Sequence, residues 1–280
     1  VRGWKIMLKV ENLSIYFEDN GKIQEAVRDI SFQMQDREIL GIVGESGSGK
    51  TMTALTIAGL TKEHEILERG SILLDDTDLL KLPPAEMRKI QGKDISMIFQ
   101  EPMTALNPTM KIGKQVEEAL ILHTVLSKTE RRKTVIRALE DAELDYPDLL
   151  YGKYPHELSG GMRQRVMIAA AIVCKPKLLI ADEPTTALDV GTQESILKLL
   201  KKLNRKYDMG ILFISHNLRV VNELCSRVLV MKDGVILEEG ITREIFENPR
   251  TEYTKELIAA IPGHTRSTAF YELLCAEAGE

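Results

Sequence analysis

The chain has 280 residues, of which 44% are hydrophobic and 28% charged, with a formal net charge of −5 and three cysteines. That balance belongs to a globular protein and excludes a disordered, collagen-like or disulfide-built chain. Cys174, Cys225 and Cys275 stand 51 and 50 residues apart with no C-x-x-C pair, so no zinc ribbon or iron–sulfur cluster is expected and a reducing compartment fits.

In chain order, Met7 to Phe17 partly alternates apolar with polar residues (Leu8, Val10, Leu13, Ile15, Phe17), as a half-buried antiparallel strand does. After a turn at Asn20-Gly21, Ala26 to Met34 reads as its partner strand. Four short apolar runs follow: Ile39 to Val43, Ile95 to Phe99, Leu178 to Ala181 and Ile211 to Ile214. Runs this short and this rich in β-branched residues suit strands covered on both faces of a parallel sheet. Helices are predicted over Thr51 to Leu60, Pro84 to Ile90, 113–125, 129–143, 160–174 and 217–225, with Pro84 where a first helical turn accepts it. Val228 to Met231 and Val235 to Glu238 read as a hairpin joined through Lys232-Asp233-Gly234. Residues 241–280 form a helical tail, interrupted at Asn248-Pro249 and Pro262-Gly263. The fold class is therefore α/β: a core over 7–102 and 166–240 that begins with antiparallel strands, a helical insertion over 103–165, and a C-terminal extension over 241–280.

The longest apolar run, Val166 to Cys174, is far shorter than the about 20 residues of a membrane-spanning helix. The first six residues, Val-Arg-Gly-Trp-Lys-Ile, lack the apolar core of a signal peptide. Mild acidity without a concentrated basic stretch argues against a nucleic-acid partner. Any membrane attachment is expected to come through a partner.

Gly44-Glu45-Ser46-Gly47-Ser48-Gly49-Lys50-Thr51 fits G-x-x-x-x-G-K-[ST], and it lies between an apolar run and a predicted helix. Glycines let successive N–H groups converge on phosphate oxygens, and the following helix adds positive potential at its N-terminus. Lys50 can reach the β- and γ-phosphates, and the Thr51 hydroxyl can ligate Mg²⁺. The chain is expected to bind a nucleoside triphosphate, with Met52 next to the loop. The other three buried runs lead to Gln100, to Asp182-Glu183 and to Ser215-His216. Parallel strands would bring these residues to the sheet edge that carries the loop, where ligands of open α/β sheets bind. By charge and reach, Asp182 suits Mg²⁺, and Glu183 suits a general base for an attacking water. Gln100 can orient that water or complete the metal shell. His216 can donate to a γ-phosphate oxygen.

Ser159-Gly160-Gly161-Met162-Arg163-Gln164-Arg165 completes a set that resembles the ATPase subunits of ABC transporters. The set comprises the P-loop at 44–51, Gln100 as the Q-loop glutamine, the signature at 158–162, Walker B at 178–183, a D-loop with Asp189, and His216 as the switch histidine. The resemblance covers about residues 7–240 and implies a RecA-like P-loop NTPase core. It places Phe17 where the family stacks an aromatic on adenine; an ordinary core residue of its strand is the alternative. Bottom-up, the signature is a second phosphate clamp, a hydroxyl and exposed N–H groups at a helix start. Within the family it closes over the ATP of a second, homologous ATPase subunit in a head-to-tail dimer. Met162 stands where glutamine is commonest, and Gln164, two residues on, is expected to meet the partner's ATP together with Ser159, Gly160, Gly161 and Met162.

The stretches Met97-Ile-Phe-Gln-Glu-Pro-Met-Thr-Ala-Leu-Asn-Pro108, Ser159 to Ala169 and Asp182 to Asp189 are similar to bacterial dipeptide, oligopeptide and nickel importers, specifically to the first of their two ATPase subunits. The segment Glu247 to Pro262 agrees, although Arg250-Thr251-Glu252 departs from the subfamily's N-P-x-H-P-Y-T. The resemblance implies an ATPase peripheral to the cytoplasmic face of the inner membrane, with two permease subunits and an external solute-binding protein as partners and residues 101–115 as the coupling surface. A nucleotide-binding regulatory partner in an asymmetric pair, and a non-transport ABC ATPase, are the alternatives. Intact Glu183, His216 and Ser159 weigh against the first, and the lack of a coiled-coil insertion or second ATPase unit against the second. Relatives with an iron–sulfur cluster carry several cysteines in the extension, where this chain has only Cys275.

Overall fold

The structure, a computed structural model, describes residues 5–19, 22–61, 66–100, 105–186 and 188–261. Strand β1 (Ile6–Asp19) pairs antiparallel with β2 (Lys22–Gln35) on one edge and with β4 (Ile66–Leu74) on the other. A two-residue β5 (Thr77–Asp78) closes this sheet in the order β2-β1-β4-β5. The turn expected at Asn20-Gly21 lies outside the described residues.

The second sheet has six strands in the order β10-β9-β3-β8-β7-β6. Its members are β3 (Ile39–Val43), β6 (Ile95–Ile98), β7 (Leu178–Asp182), β8 (Gly210–Ser215), β9 (Arg227–Lys232) and β10 (Val235–Ile241). Neighbours run parallel except β9 and β10, the expected hairpin, which adds an antiparallel edge and makes the sheet mixed. Every residue of β3, β7 and β8 is buried.

Because side chains alternate across a strand, the central strands feed two cores at once. Ile39 and Val43, Leu179 and Ala181, Ile211 and Phe213, and Val228 and Val230 face the core shared with most of the helices. Leu40 and Ile42, Leu178 and Ile180, Leu212 and Ile214, and Leu229 and Met231 face the antiparallel sheet and α1 (Lys50–Ile57). At roughly 1.5–3 kcal/mol for each large aliphatic side chain buried, this double coverage fixes strand register, since a one-residue slip would exchange every side chain between the cores.

Helices α2 (Pro84–Ile90), α3 (Ile112–His123), α4 (Lys128–Asp141), α6 (Gly160–Ile172) and α8 (Leu218–Leu224) fall where the pattern predicts them, and a short α5 (Pro147–Leu150) precedes α6. The start of α4 is set by a capping box in which Ser127 and Glu130 satisfy each other's backbone N–H groups. In the tail, α9 (Thr242–Glu247) and α10 (Glu252–Ala259) are separated at Asn248-Pro249.

Four elements lie outside the predicted spans, the short α5 among them. Strands β4 and β5 escape because Glu68-Arg69-Gly70-Ser71 breaks the alternation in the middle of β4. Helix α7 (Val190–Tyr207) carries a helical stripe, Ile196, Leu200 and Leu203, and is capped by Asp189, whose side chain accepts from the Thr192 N–H. Helices α3, α4 and α6 pack on one another around Glu117, which is fully buried. Its carboxylate accepts from Lys114 Nζ (2.7 Å), Arg131 Nε (3.0 Å) and the Tyr151 hydroxyl (3.1 Å). Among the described residues no helix is long and apolar enough to cross a membrane.

Candidate nucleotide site

The loop of residues 44–49 runs from the C-terminal end of β3 into α1. Gly44 passes so close to β9 that a Cβ there would lie 2.1 Å from the Met231 carbonyl oxygen. Gly49 takes φ +98 at the N-cap of α1, a left-handed conformation that L side chains rarely adopt. The loop wraps Lys50, whose ammonium donates to the Gly44 carbonyl (2.8 Å), the Glu45 carbonyl (2.7 Å) and the Ser48 hydroxyl (3.3 Å). Burial pushes this lysine below its ordinary pKa, although Glu183, Asp182 and Glu45 pull the other way. An entering anion supplies the counter-charge that this ammonium needs, at the helix N-terminus where anions are favoured.

The predicted residues converge at this edge. Phe17, Ser46, Gly47, Gly49, Lys50, Thr51, Met52, Gln100 and Glu183 line one cleft of about 880 Å³, within the size range of nucleotide-scale ligand sites. Gly44, Glu45 and Ser48, also expected to bind ATP, do not line this cleft; their oxygens hold Lys50 instead. Phe17 is half-buried on β1 and opens onto the cleft, so it is not sealed in the core of its strand. Gln24 and Arg28 of β2 line the same space; nothing in their local sequence marks them, because only strand pairing brings them there.

Asp182 ends β7 almost completely buried, with one carboxylate oxygen 3.4 Å from the Thr51 hydroxyl. Burial first, and the neighbouring Glu183 charge second, raise its pKa, against the effects of Thr51 and Lys50. Thr51 and Asp182 are hard oxygen donors side by side, and a cation would offset this under-compensated charge, so they fit Mg²⁺. Among the described residues no group of three or more His, Cys, Asp or Glu is placed to hold a metal, so further ligands would be phosphate oxygens, water or Gln100.

Glu183 has φ +46, a conformation rare outside glycine, and its N–H donates to the Ile214 carbonyl of β8 at 2.9 Å. One carboxylate oxygen lies 3.0 Å from His216 Nδ1. The other accepts from Gln100 Nε2 (3.1 Å) and the Thr186 hydroxyl (2.8 Å). Burial alone would raise this carboxyl, but the hydrogen bonds from His216 and Thr186, with the His216 and Lys50 charges, hold it below its usual value. An ionised, oriented carboxylate results. Thr186 is a site residue that the sequence reading missed, although its place three residues after Glu183 in a turn was a usable signal.

Ser159, Gly161, Met162 and Asp189 line a second cleft of about 590 Å³, which shares no residue with the first. Ser159 caps α6 by accepting from the Met162 N–H at 3.3 Å, and a Cβ at Gly160 would meet nothing within 4 Å. Asp189 turns its carboxylate onto the N–H and hydroxyl of Thr192. Gln164 does not belong with this group. It is 1% exposed on the inward face of α6 with Ile168 and Ala171, one turn and two turns on, and its Nε2 has no hydrogen-bond partner among the described residues. Residues 101–104, Ala187 and Cys275 lie outside the described residues, so the start of the expected coupling surface and the single cysteine of the extension are not placed.

Residues 27–186 match the ABC transporter family. The chain is 48% identical over 257 residues to the oligopeptide transport ATP-binding protein OppD of Bacillus subtilis, covering 91% of this chain and 72% of that protein. It is 46% identical to the dipeptide transport ATP-binding protein DppD of the same organism, over 91% of this chain and 77% of that one. Among solved structures it resembles the dimeric post-hydrolysis state of the ATP-binding cassette MJ0796 bound to ADP and Pi, with a TM-score of 0.75 and 31% identity, over 85% of this chain and 99% of that chain.

Proposed function

The chain belongs to the ABC transporter family and is one of its ATPases, and from that premise we propose that it is the energy-coupling subunit of an importer for dipeptides or oligopeptides. Nickel is the other cargo of the subfamily it resembles. The observation that supports a coupling role best is the separation of the two clefts: one chain offers a loop for its own ATP and a signature surface for another's.

In this reading Glu183 takes the proton of the attacking water at a carboxylate oxygen, and Gln100, Thr186 and His216 hold that carboxylate in place. Lys50 and the loop N–H groups bind the phosphates, and Phe17 stacks on adenine. Thr51, Asp182 and Gln100 would hold Mg²⁺, which supplies charge neutralisation at the phosphates. Ser159, Gly160, Gly161 and Met162 meet the nucleotide of a second ATPase subunit, with Asp189 at the same junction. The division into 7–102 with 166–240, 103–165 and 241–280 follows these roles: binding core, signature-bearing helices and extension.

The permease surface lies beside Gln100. Gln115 of α3 pins the loop before it, donating to the Asn107 and Met110 carbonyls and accepting from the Asn107 N–H. Exposed Phe99 and Leu122 flank a groove of about 400 Å³ between that loop, α3 and α6, which suits an apolar segment of a membrane subunit. Contact there would hold the chain at the cytoplasmic face of the membrane.

Affinity capture of the tagged chain from detergent-solubilised membranes, with mass spectrometry of the copurifying proteins, tests the proposal. A second, different P-loop ATPase together with two permeases is the expected result, and a solute-binding protein in the same complex identifies the cargo. Recovery solely from the soluble fraction, alone or self-paired, overturns it.

A further inference from the structure

Tyr253 of α10 stands 208 residues after Glu45, yet its hydroxyl accepts a hydrogen bond from the Glu45 N–H at 3.0 Å. That N–H and the Gly44 carbonyl belong to one peptide group, and the carbonyl is held by Lys50 Nζ at 2.8 Å. The first peptide of the phosphate loop is therefore gripped at both ends, once by the lysine it surrounds and once by the C-terminal extension. Farther along, the Ser48 carbonyl accepts from the Gly234 N–H in the β9–β10 turn at 3.2 Å.

The extension is itself fastened for this purpose. Glu238 of β10 is 6% exposed, and its carboxylate accepts from the N–H groups of Arg250 (2.8 Å) and Thr251 (3.2 Å) just before α10. Thr251 then caps α10 through the Thr254 N–H. Tyr253 is 6% exposed, and Lys232 Nζ lies 4.5 Å over its ring, so the phenol has little freedom to leave.

We infer that Tyr253 is a positioning residue for the phosphate loop, fixing the Gly44–Glu45 peptide so that Lys50 and the loop N–H groups are held ready for the nucleotide's phosphates, with Glu238 as its anchor. A loop already in its binding conformation loses less entropy when ligand arrives, so the effect is on affinity. The inference rests on ATP binding at this loop and is independent of the transported cargo.

The test is Y253F on the full chain, which removes one oxygen and keeps the ring, the cation contact and the packing. Titration with ADP and with a non-hydrolysable ATP analogue should show Kd raised about three- to tenfold, the range of one lost hydrogen bond. KM for ATP should rise by the same factor while kcat moves less, the signature of lost uniform binding. The nucleotide-free Tm should fall by no more than about 5 °C, the cost of that one hydrogen bond; a larger fall marks a general loss of stability and overturns the assignment. E238Q, which loosens the anchor, should shift Kd in the same direction in the wild-type background and add nothing to Y253F. Wild-type Kd and KM in Y253F overturn the assignment, as does an E238Q effect that adds in full to Y253F. A wild-type chain that fails to bind ATP overturns this inference and the nucleotide-site reading together.

Discussion

Two buried carboxylates, Glu117 among the helices and Asp182 at the end of β7, show how differently one chain treats a charge withdrawn from water. Glu117 is 0% exposed but receives two cationic donors and a phenol, and these hold its carboxyl below the usual range against the opposing effect of burial. Asp182 is 3% exposed and receives one long hydrogen bond from Thr51, with a second carboxylate adjacent, and burial pushes its carboxyl up. Packing demands that a buried charge be satisfied, and Glu117 meets that demand. At the nucleotide cleft one long hydrogen bond and the adjacent Glu183 charge leave Asp182 under-compensated. Glu183, beside Asp182, is satisfied again, but by donors that aim it into the cleft.

The sharpest way to break this contrast is to swap function against stability. E183Q should lower ATP turnover by about a hundred- to ten-thousandfold and leave ATP binding intact, read by steady-state hydrolysis beside nucleotide titration. Turnover at the wild-type rate would show that Glu183 is not the proposed base. E117A should do the converse, costing about 2–4 kcal/mol in denaturant unfolding through a cavity and orphaned donors, with kcat little altered in the protein that remains folded.

The smallest effect is the most telling. D182N, measured without nucleotide or Mg²⁺, should stabilise the chain by about 1 kcal/mol, because an amide has no charge to desolvate. The pH dependences should have opposite signs. The raised carboxyl of Asp182 contributes stability that is fully present below the ordinary carboxylate range and is lost as pH rises through its folded value. The depressed carboxyl of Glu117 contributes stability that is present above that range and is lost as pH falls through its own folded value. Wild type minus D182N should therefore fall with rising pH across the acidic range, and wild type minus E117A should rise. Equal signs in pH-resolved unfolding would erase the distinction between the two carboxylates.

Much of the site was legible because it sits where a short apolar run ends. Gln100, Asp182, Glu183 and His216 could be aligned on one edge before any coordinates, since parallel strands place their C-terminal ends together. The errors came where local pattern and tertiary face disagree. Gln164 follows the signature in sequence, yet α6 rotates about 100° per residue and carries it to the face of Ile168 and Ala171. Strand β4 is hidden by its own charged centre, and α7 by the lysines and other polar residues that interrupt its apolar stripe.

By itself, the sequence determined the phosphate loop, the apolar runs that become buried strands and the polar residues that end them. Each of these depends on short-range chemistry: glycine spacing, runs of β-branched residues, and a polar residue placed just past an apolar run. Only the tertiary structure decided that Thr186 and His216 share Glu183, that Asp182 is under-compensated, and that Tyr253 reaches back 208 residues to the Gly44–Glu45 peptide. Those facts depend on burial and on distances between remote segments. Neither quantity exists until the two cores have closed around the sheet.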